Sequence, residues 1–189
     1  MTNSISSIFE IEISQLYYEN FKYKLTLHDH GILRLISLSF NKKFKKLDKS
    51  IKLQNLKESD HYQEIMFNHY SSFMRGYHGP FMIKNISSGN FIEISMEVFL
   101  KNLYDILLSP KANTPMINRN TLNKVKKLIS SLRAEDSFIF YLNKCETFNI
   151  NMNPHNYEHE WSHAINQFYE FIFFNDKTSE VFCLYLIYE

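Results

Sequence analysis

The sequence predicts an α+β protein, a single domain spanning residues 1–189, with antiparallel β-hairpins near both termini and four or so amphipathic helices. Three observations predict it. Apolar and polar residues alternate with period two across 21–40. The middle of the chain carries apolar residues at helical spacing behind good N-caps. Two apolar runs then flank Asn175-Asp176-Lys177 near the end.

The elements follow in order. Ile8, Ile11 and Ile13 fit a strand, and the surrounding 5–20 fits a helix nearly as well. Phe21, Tyr23, Leu25 and Leu27 alternate with Lys22, Lys24, Thr26 and His28, the pattern of a half-buried strand. Gly31 after His28-Asp29-His30 can supply the positive φ of a tight turn, and 32–40 returns as the second arm. Residues 41–57 are basic and poorly patterned, and read as a loop or short turn. A helix is expected over 59–76, stopped by Gly76 and Gly79-Pro80. Strands at 81–83 and 91–94 flank the Ser87-Ser88-Gly89-Asn90 turn.

Ser95 caps the next helix, with Val98, Phe99, Leu103, Ile106 and Leu107 at helical spacing and Glu97 suiting its dipole. Thr121 is the expected N-cap of a helix over 122–133, whose Leu122, Val125, Leu128, Ile129 and Leu132 share a face. Residues 137–143 are strand-like. Asn153-Pro154 is a helix start signal, and that helix should run to about residue 169. Residues 171–174 and 181–188 close the chain as a hairpin.

Composition bounds the function. The chain has 189 residues, 44% of them hydrophobic, with 17 Phe, 12 Tyr and only four each of Gly and Pro. Such a chain builds a packed core and not a loop-rich scaffold. The first ten residues carry no basic segment or apolar run of a signal peptide. The longest apolar run, 181–188, is far short of the roughly 20 residues a membrane helix needs. A cytoplasmic protein is expected, and Cys145 and Cys183, not a CxxC pair, read as buried inert thiols. Net charge is +1, but 1–133 holds nineteen Lys and Arg against eleven Asp and Glu, while 134–189 holds two against nine. This split points to an interaction surface.

One catalytic motif is present. His159-Glu160-Trp161-Ser162-His163 matches HExxH, in which two histidines one helical turn apart bind zinc and the Glu is general base. Against it, the helix's apolar stripe of Tyr157, Trp161, Ile165, Phe168 and Ile172 puts His155, His159 and His163 on the opposite, solvent side. The extended pattern also fails, with Asn166 and Tyr169 where Gly and His would stand. No zinc or other cofactor is therefore expected. His69, Arg75, Tyr77 and His78 fit a helix terminus better than a phosphate site. The lysines of 42–57 promise weak, salt-sensitive contact with nucleic acid at most.

Without a credible active site, and with acid concentrated at one end, the chain reads as a binder of a basic partner. Glu158, Trp161, Glu170, Asp176 and Glu180 are the expected contact residues, an aromatic anchor ringed by exposed carboxylates. In size, composition and acidic aromatic C-terminal region, the chain resembles the immunity proteins of bacterial toxin–immunity systems, including contact-dependent growth inhibition. The resemblance is one of overall character, without a diagnostic motif. It implies one-to-one binding and neutralisation of a cognate toxin domain, a basic nuclease by charge. The alternatives are an HExxH zinc metalloprotease and a non-catalytic nucleic-acid-binding protein using 42–57 and 119–133.

Overall fold

The computed structural model describes residues 17–28, 31–59, 61–62, 77–79, 81–108, 116–132, 137–142 and 167–188. Its elements are β1 (Tyr17–His28), β2 (Gly31–Phe40), a 3-10 turn (Lys42–Lys46), α1 (Lys49–Glu58), β3 (Tyr77–His78), β4 (Phe81–Met82), β5 (Phe91–Ile94), α2 (Met96–Leu108), α3 (Arg119–Ser131), β6 (Phe138–Leu142), β7 (Gln167–Asn175) and β8 (Glu180–Tyr188). Six strands form one antiparallel sheet in the order β1-β2-β8-β7-β6-β5, and β3 pairs with β4 in a separate two-stranded ribbon.

The two expected terminal hairpins are present. The C-terminal one lies at the sheet's centre, because β8 pairs with β2 on one side and β7 on the other. That position explains the unbroken apolar run of 181–188. Val181, Cys183, Tyr185 and Ile187 face one layer, and Phe182, Leu184, Leu186 and Tyr188 the other, all buried. On one face, α2 and α3 bring Phe99, Leu103, Leu107, Val125 and Ile129 down on Leu33, Leu35, Phe171, Phe173, Leu184 and Leu186. On the other, Phe44, Leu53, Leu56, Tyr62, Phe81 and Ile86 cover Ile36, Leu38, Ile172, Phe174, Cys183 and Tyr185. The helical cover on both faces makes a three-layer core around an antiparallel sheet.

The expectation of four or so amphipathic helices does not hold. The described residues contain three α-helices and one six-stranded sheet, with more strand than helix. One helix, α1, occupies the stretch read as a loop. Its inward face is Lys52, Leu53, Leu56 and Lys57, so two of the four positions that mark the buried side are lysines and the apolar period is hidden. The expected helix over 153–169 gives way at 167–169 to β7, while its earlier residues lie outside the described ones. Phe168 and Ile172, four apart, satisfy a helical stripe, but four is also an even number, and in β7 both face the same layer. The β8 partner runs the full length of β7, from Gln167↔Tyr188 to Asn175↔Glu180, and this ladder decides for strand.

Smaller differences have local causes. Helix α3 starts before Thr121, capped by Asn118, whose side chain accepts from the Thr121 amide at 2.9 Å. Ser95 caps α2 as expected, accepting from the Val98 amide at 3.2 Å. Gly31 has no positive φ; a Cβ there would stand 2.6 Å from Nε2 of His28, whose ring stacks on Tyr188. Of the helix expected over 59–76, only Ser59, His61 and Tyr62 are described; Ser59 is extended backbone ending α1, and His61–Tyr62 are helical. No helix among the described residues is long and apolar enough to cross a membrane.

Candidate functional site

The five expected contact residues do not form one exposed patch. Glu158 and Trp161 lie outside the described residues, as do His155, His159, Glu160 and His163 of the HExxH match. Glu180 begins β8 half-buried, paired in register with Asn175. Asp176, in the β7–β8 turn, holds the ammonium of Lys52 through both oxygens, at 2.7 and 2.8 Å. Lys52 is itself buried and also donates to the Lys45 carbonyl at 3.0 Å. Asp176 thus serves the protein's own basic half.

Glu170 departs furthest from expectation. It stands on the inward side of β7 and is fully buried. The strand period requires this, since Phe168, Ile172 and Phe174 share that side. Its Oε2 accepts from the Tyr62 hydroxyl at 3.0 Å and lies 3.0 Å from Nε2 of His78. The other ring nitrogen, Nδ1, is 3.1 Å from the Tyr62 carbonyl, to which it donates. Attraction between Nε2 and Oε2 then needs a proton between them. Tyr62 stacks flat on His78 with centroids 3.7 Å apart, and Phe168 and Tyr185 present their rings to its sides.

Glu170 Oε1 is buried without a hydrogen-bond partner, and the buried Tyr185 hydroxyl meets the Cys183 sulfur in a weak contact. Burial first, then the charge of Glu170, raises the Cys183 thiol far above its usual range, which makes it an unreactive sulfur. Burial likewise raises the Tyr185 phenol. His78, Glu170, Tyr62 and Tyr185 are all sealed from solvent, so no substrate reaches them. The cluster is a structural lock that ties Tyr62 and the β3–β4 ribbon to the sheet. The sequence signal for it is weak: Tyr62 lies in the stretch expected as a helix over 59–76, His78 at that helix's expected terminus, and Glu170 among the expected surface acids.

The basic stretch is largely engaged internally. Lys49 pairs with Glu93, Lys45 donates to the Lys177 carbonyl at 3.2 Å, and Lys52 and Lys57 are buried. Asp48, Lys49, Ser50, Ser88, Gly89 and Glu93 line an open cleft of about 630 Å³ beside the start of α1. None of the buried unpartnered polar atoms points into it. Among the described residues no three metal-binding side chains gather.

Two of the exposed large apolar side chains stand together on β1. Phe21 and Tyr23 are 45% and 37% exposed. They share a side with Leu25 and Leu27, opposite Ser37, Leu35 and Leu33 of β2. The alternate residues Lys22, Lys24 and Thr26 are exposed on the other side. A bulge at Asn20, whose amide donates to Ser37 Oγ at 3.1 Å and accepts from Ser39 Oγ at 2.9 Å, ends the regular register. Among the described residues β1 has one neighbouring strand, β2, and ends the sheet. Alternation predicted that one side of β1 would be buried; nothing in it said that this strand would be the last in the sheet.

No protein-family model matches the chain, and no curated protein matches it. Among solved structures, the crystal structure of citrus MAF1 in one crystal form matches with a TM-score of 0.39 at 12% identity, covering 87% of this chain and 91% of that one. A second crystal form of citrus MAF1 gives a TM-score of 0.36 at 16% identity, covering 87% and 90%. At these scores the likeness carries no argument about fold or function.

Proposed function

We propose that this chain is an immunity protein that binds a cognate toxin domain one-to-one and neutralises it, with β1 as its contact element. The observation that carries this reading is the pair Phe21 and Tyr23, large aromatic groups left half in water on the strand that ends the sheet among the described residues. Aromatic side chains contribute most to interfaces because they lose much apolar area from water at little entropic cost.

A basic nuclease would be met by exposed carboxylates, but Glu170 and Asp176 have internal partners. The toxin domain is therefore proposed without a chemistry of its own. Co-expression with the toxin encoded beside it should give a one-to-one complex and restore growth. Phe21→Ser with Tyr23→Ser should weaken binding at least about tenfold, on the order of two modest hot spots, and should leave thermal stability nearly unchanged. Full protection by the double variant would move the interface off β1, and failure of the wild type to bind or protect would sink the toxin reading.

A further inference from the structure

The three described helices differ in what they show to solvent. On α2, Lys101 stands four residues from both Glu97 and Asp105, so its charges offset one another. On α1, Lys49 pairs with Glu93 and Lys52 with Asp176. Helix α3 contains no acidic residue. Its inward side is Thr121, Val125 and Ile129. Its solvent side carries two parallel rows at helical spacing, Arg119, Asn123 and Lys126 beside Asn120, Lys124 and Lys127. All six are exposed, and among the described residues none of the four cations has a carboxylate partner. The Lys126 ammonium instead sits 5.7 Å from the centroid of the Tyr104 ring. We infer that this face of α3 is a contact surface for the phosphodiester backbone of a nucleic acid. It does not use β1, so it stands or falls apart from the toxin reading.

Phosphate fits this face better than other anionic surfaces do. Arg and Lys side chains can only donate, Asn donates through its amide, and these residue types hold phosphate oxygens. A protein partner would need an apolar anchor, and interface cores are poor in lysine; the two rows of α3 hold no large apolar group. A lipid surface would need the apolar side of the helix, and that side is buried in the core with Phe99 and Leu103. Four cations neutralise about four phosphates, so log K should fall with log salt with a slope of roughly −3 to −4. Contact of that size is sequence-independent and largely lost at physiological salt, as suits a phosphate surface without base readout.

Fluorescence anisotropy with the full chain and labelled duplexes is the test, and it needs no toxin. Duplexes of about 20 base pairs, DNA in one arm and RNA in the other, should bind at about 20 mM salt and weaken roughly a thousandfold or more by about 200 mM. The tighter arm identifies which duplex the surface meets. Lys124→Gln with Lys126→Gln and Lys127→Gln should weaken binding at least about tenfold at the lower salt and flatten the slope by roughly 2–3. Lys24→Gln with Lys46→Gln and Lys101→Gln removes the same charge elsewhere and should change affinity by less than about threefold, which separates the surface from net charge. In the wild-type chain, bound duplex should shield Lys124, Lys126 and Lys127 from acetylation more than Lys24, Lys46 and Lys101, a readout that needs no variant to fold. No binding of either duplex at the lower salt, equal losses in the two variants, or uniform shielding of all six lysines would each overturn the inference. Tighter binding of polyglutamate than of either duplex would overturn it in favour of an acidic protein partner.

Discussion

At Glu170 a carboxylate has been drawn out of water, and the donors grouped at Oε2 make that tolerable. Tyr62 and His78 both reach that single oxygen, while Oε1 has none. Removing one member leaves the others buried and mismatched, so His78→Ala or Glu170→Ala should each lower stability by about 3–5 kcal/mol. Urea denaturation checks this, and a loss under about 1 kcal/mol would contradict the lock. Tyr185→Phe is the opposite case. It deletes a buried hydroxyl that meets the Cys183 sulfur in a weak contact and no stronger partner, so stability should change by less than about 1 kcal/mol. Lys52 and Asp176 form a second buried contact, half open to water on the acid side. Asp176→Asn should cost about 1–3 kcal/mol by stranding the ammonium, and Lys52→Met in the same chain should recover part of that loss.

At the scale of elements, the helices behave as their apolar stripes require. Asn118 satisfies a free amide at the start of α3, and Asn118→Ala should cost about 1 kcal/mol. The turn at Gly31 depends on space and not on backbone freedom. Gly31→Ala would press a methyl group into the His28 ring, and Tyr188 stands behind at 3.0 Å from the same Cβ. A loss of about 1–3 kcal/mol is expected, with the two rings forced apart. An alanine variant as stable as the parent would show that His28 swings aside freely.

For the whole molecule, the central strand sets the response to alkali. Burial raises Cys183, Tyr185 and Tyr188 above their ordinary values of 9.0 and 10.0. A group raised by folding keeps its proton in the native state after the unfolded chain has lost it. Stability should therefore be complete below about pH 9 and fall as pH rises beyond it. A thermal-melting series from pH 7 to 11 checks the sign; a midpoint that climbs above pH 9 would reverse it. The same molecule should bind nucleic acid weakly and lose it as salt rises, because Lys49 and Lys52 already have carboxylate partners. A sequence-preferring complex at physiological salt would refute that.

Local chemistry in the chain determined which segments could be strands or helices. The alternation of 21–40, the spacing behind Ser95, the apolar face of α3 and the turn at Asn175-Asp176-Lys177 are all short-range signals, and each has its expected counterpart. Pairing order is a long-range property, and only the tertiary structure decided it. Residues 181–188 read as a closing strand, yet their central place follows from β2 finding them across more than a hundred residues. That order also made β1 the last strand among the described residues, with Phe21 and Tyr23 exposed where alternation alone had them buried. The contact residues were least legible for the same reason. Whether a carboxylate meets water, a lysine or a histidine depends on what folds over it, and Glu170 is covered by residues a hundred positions earlier.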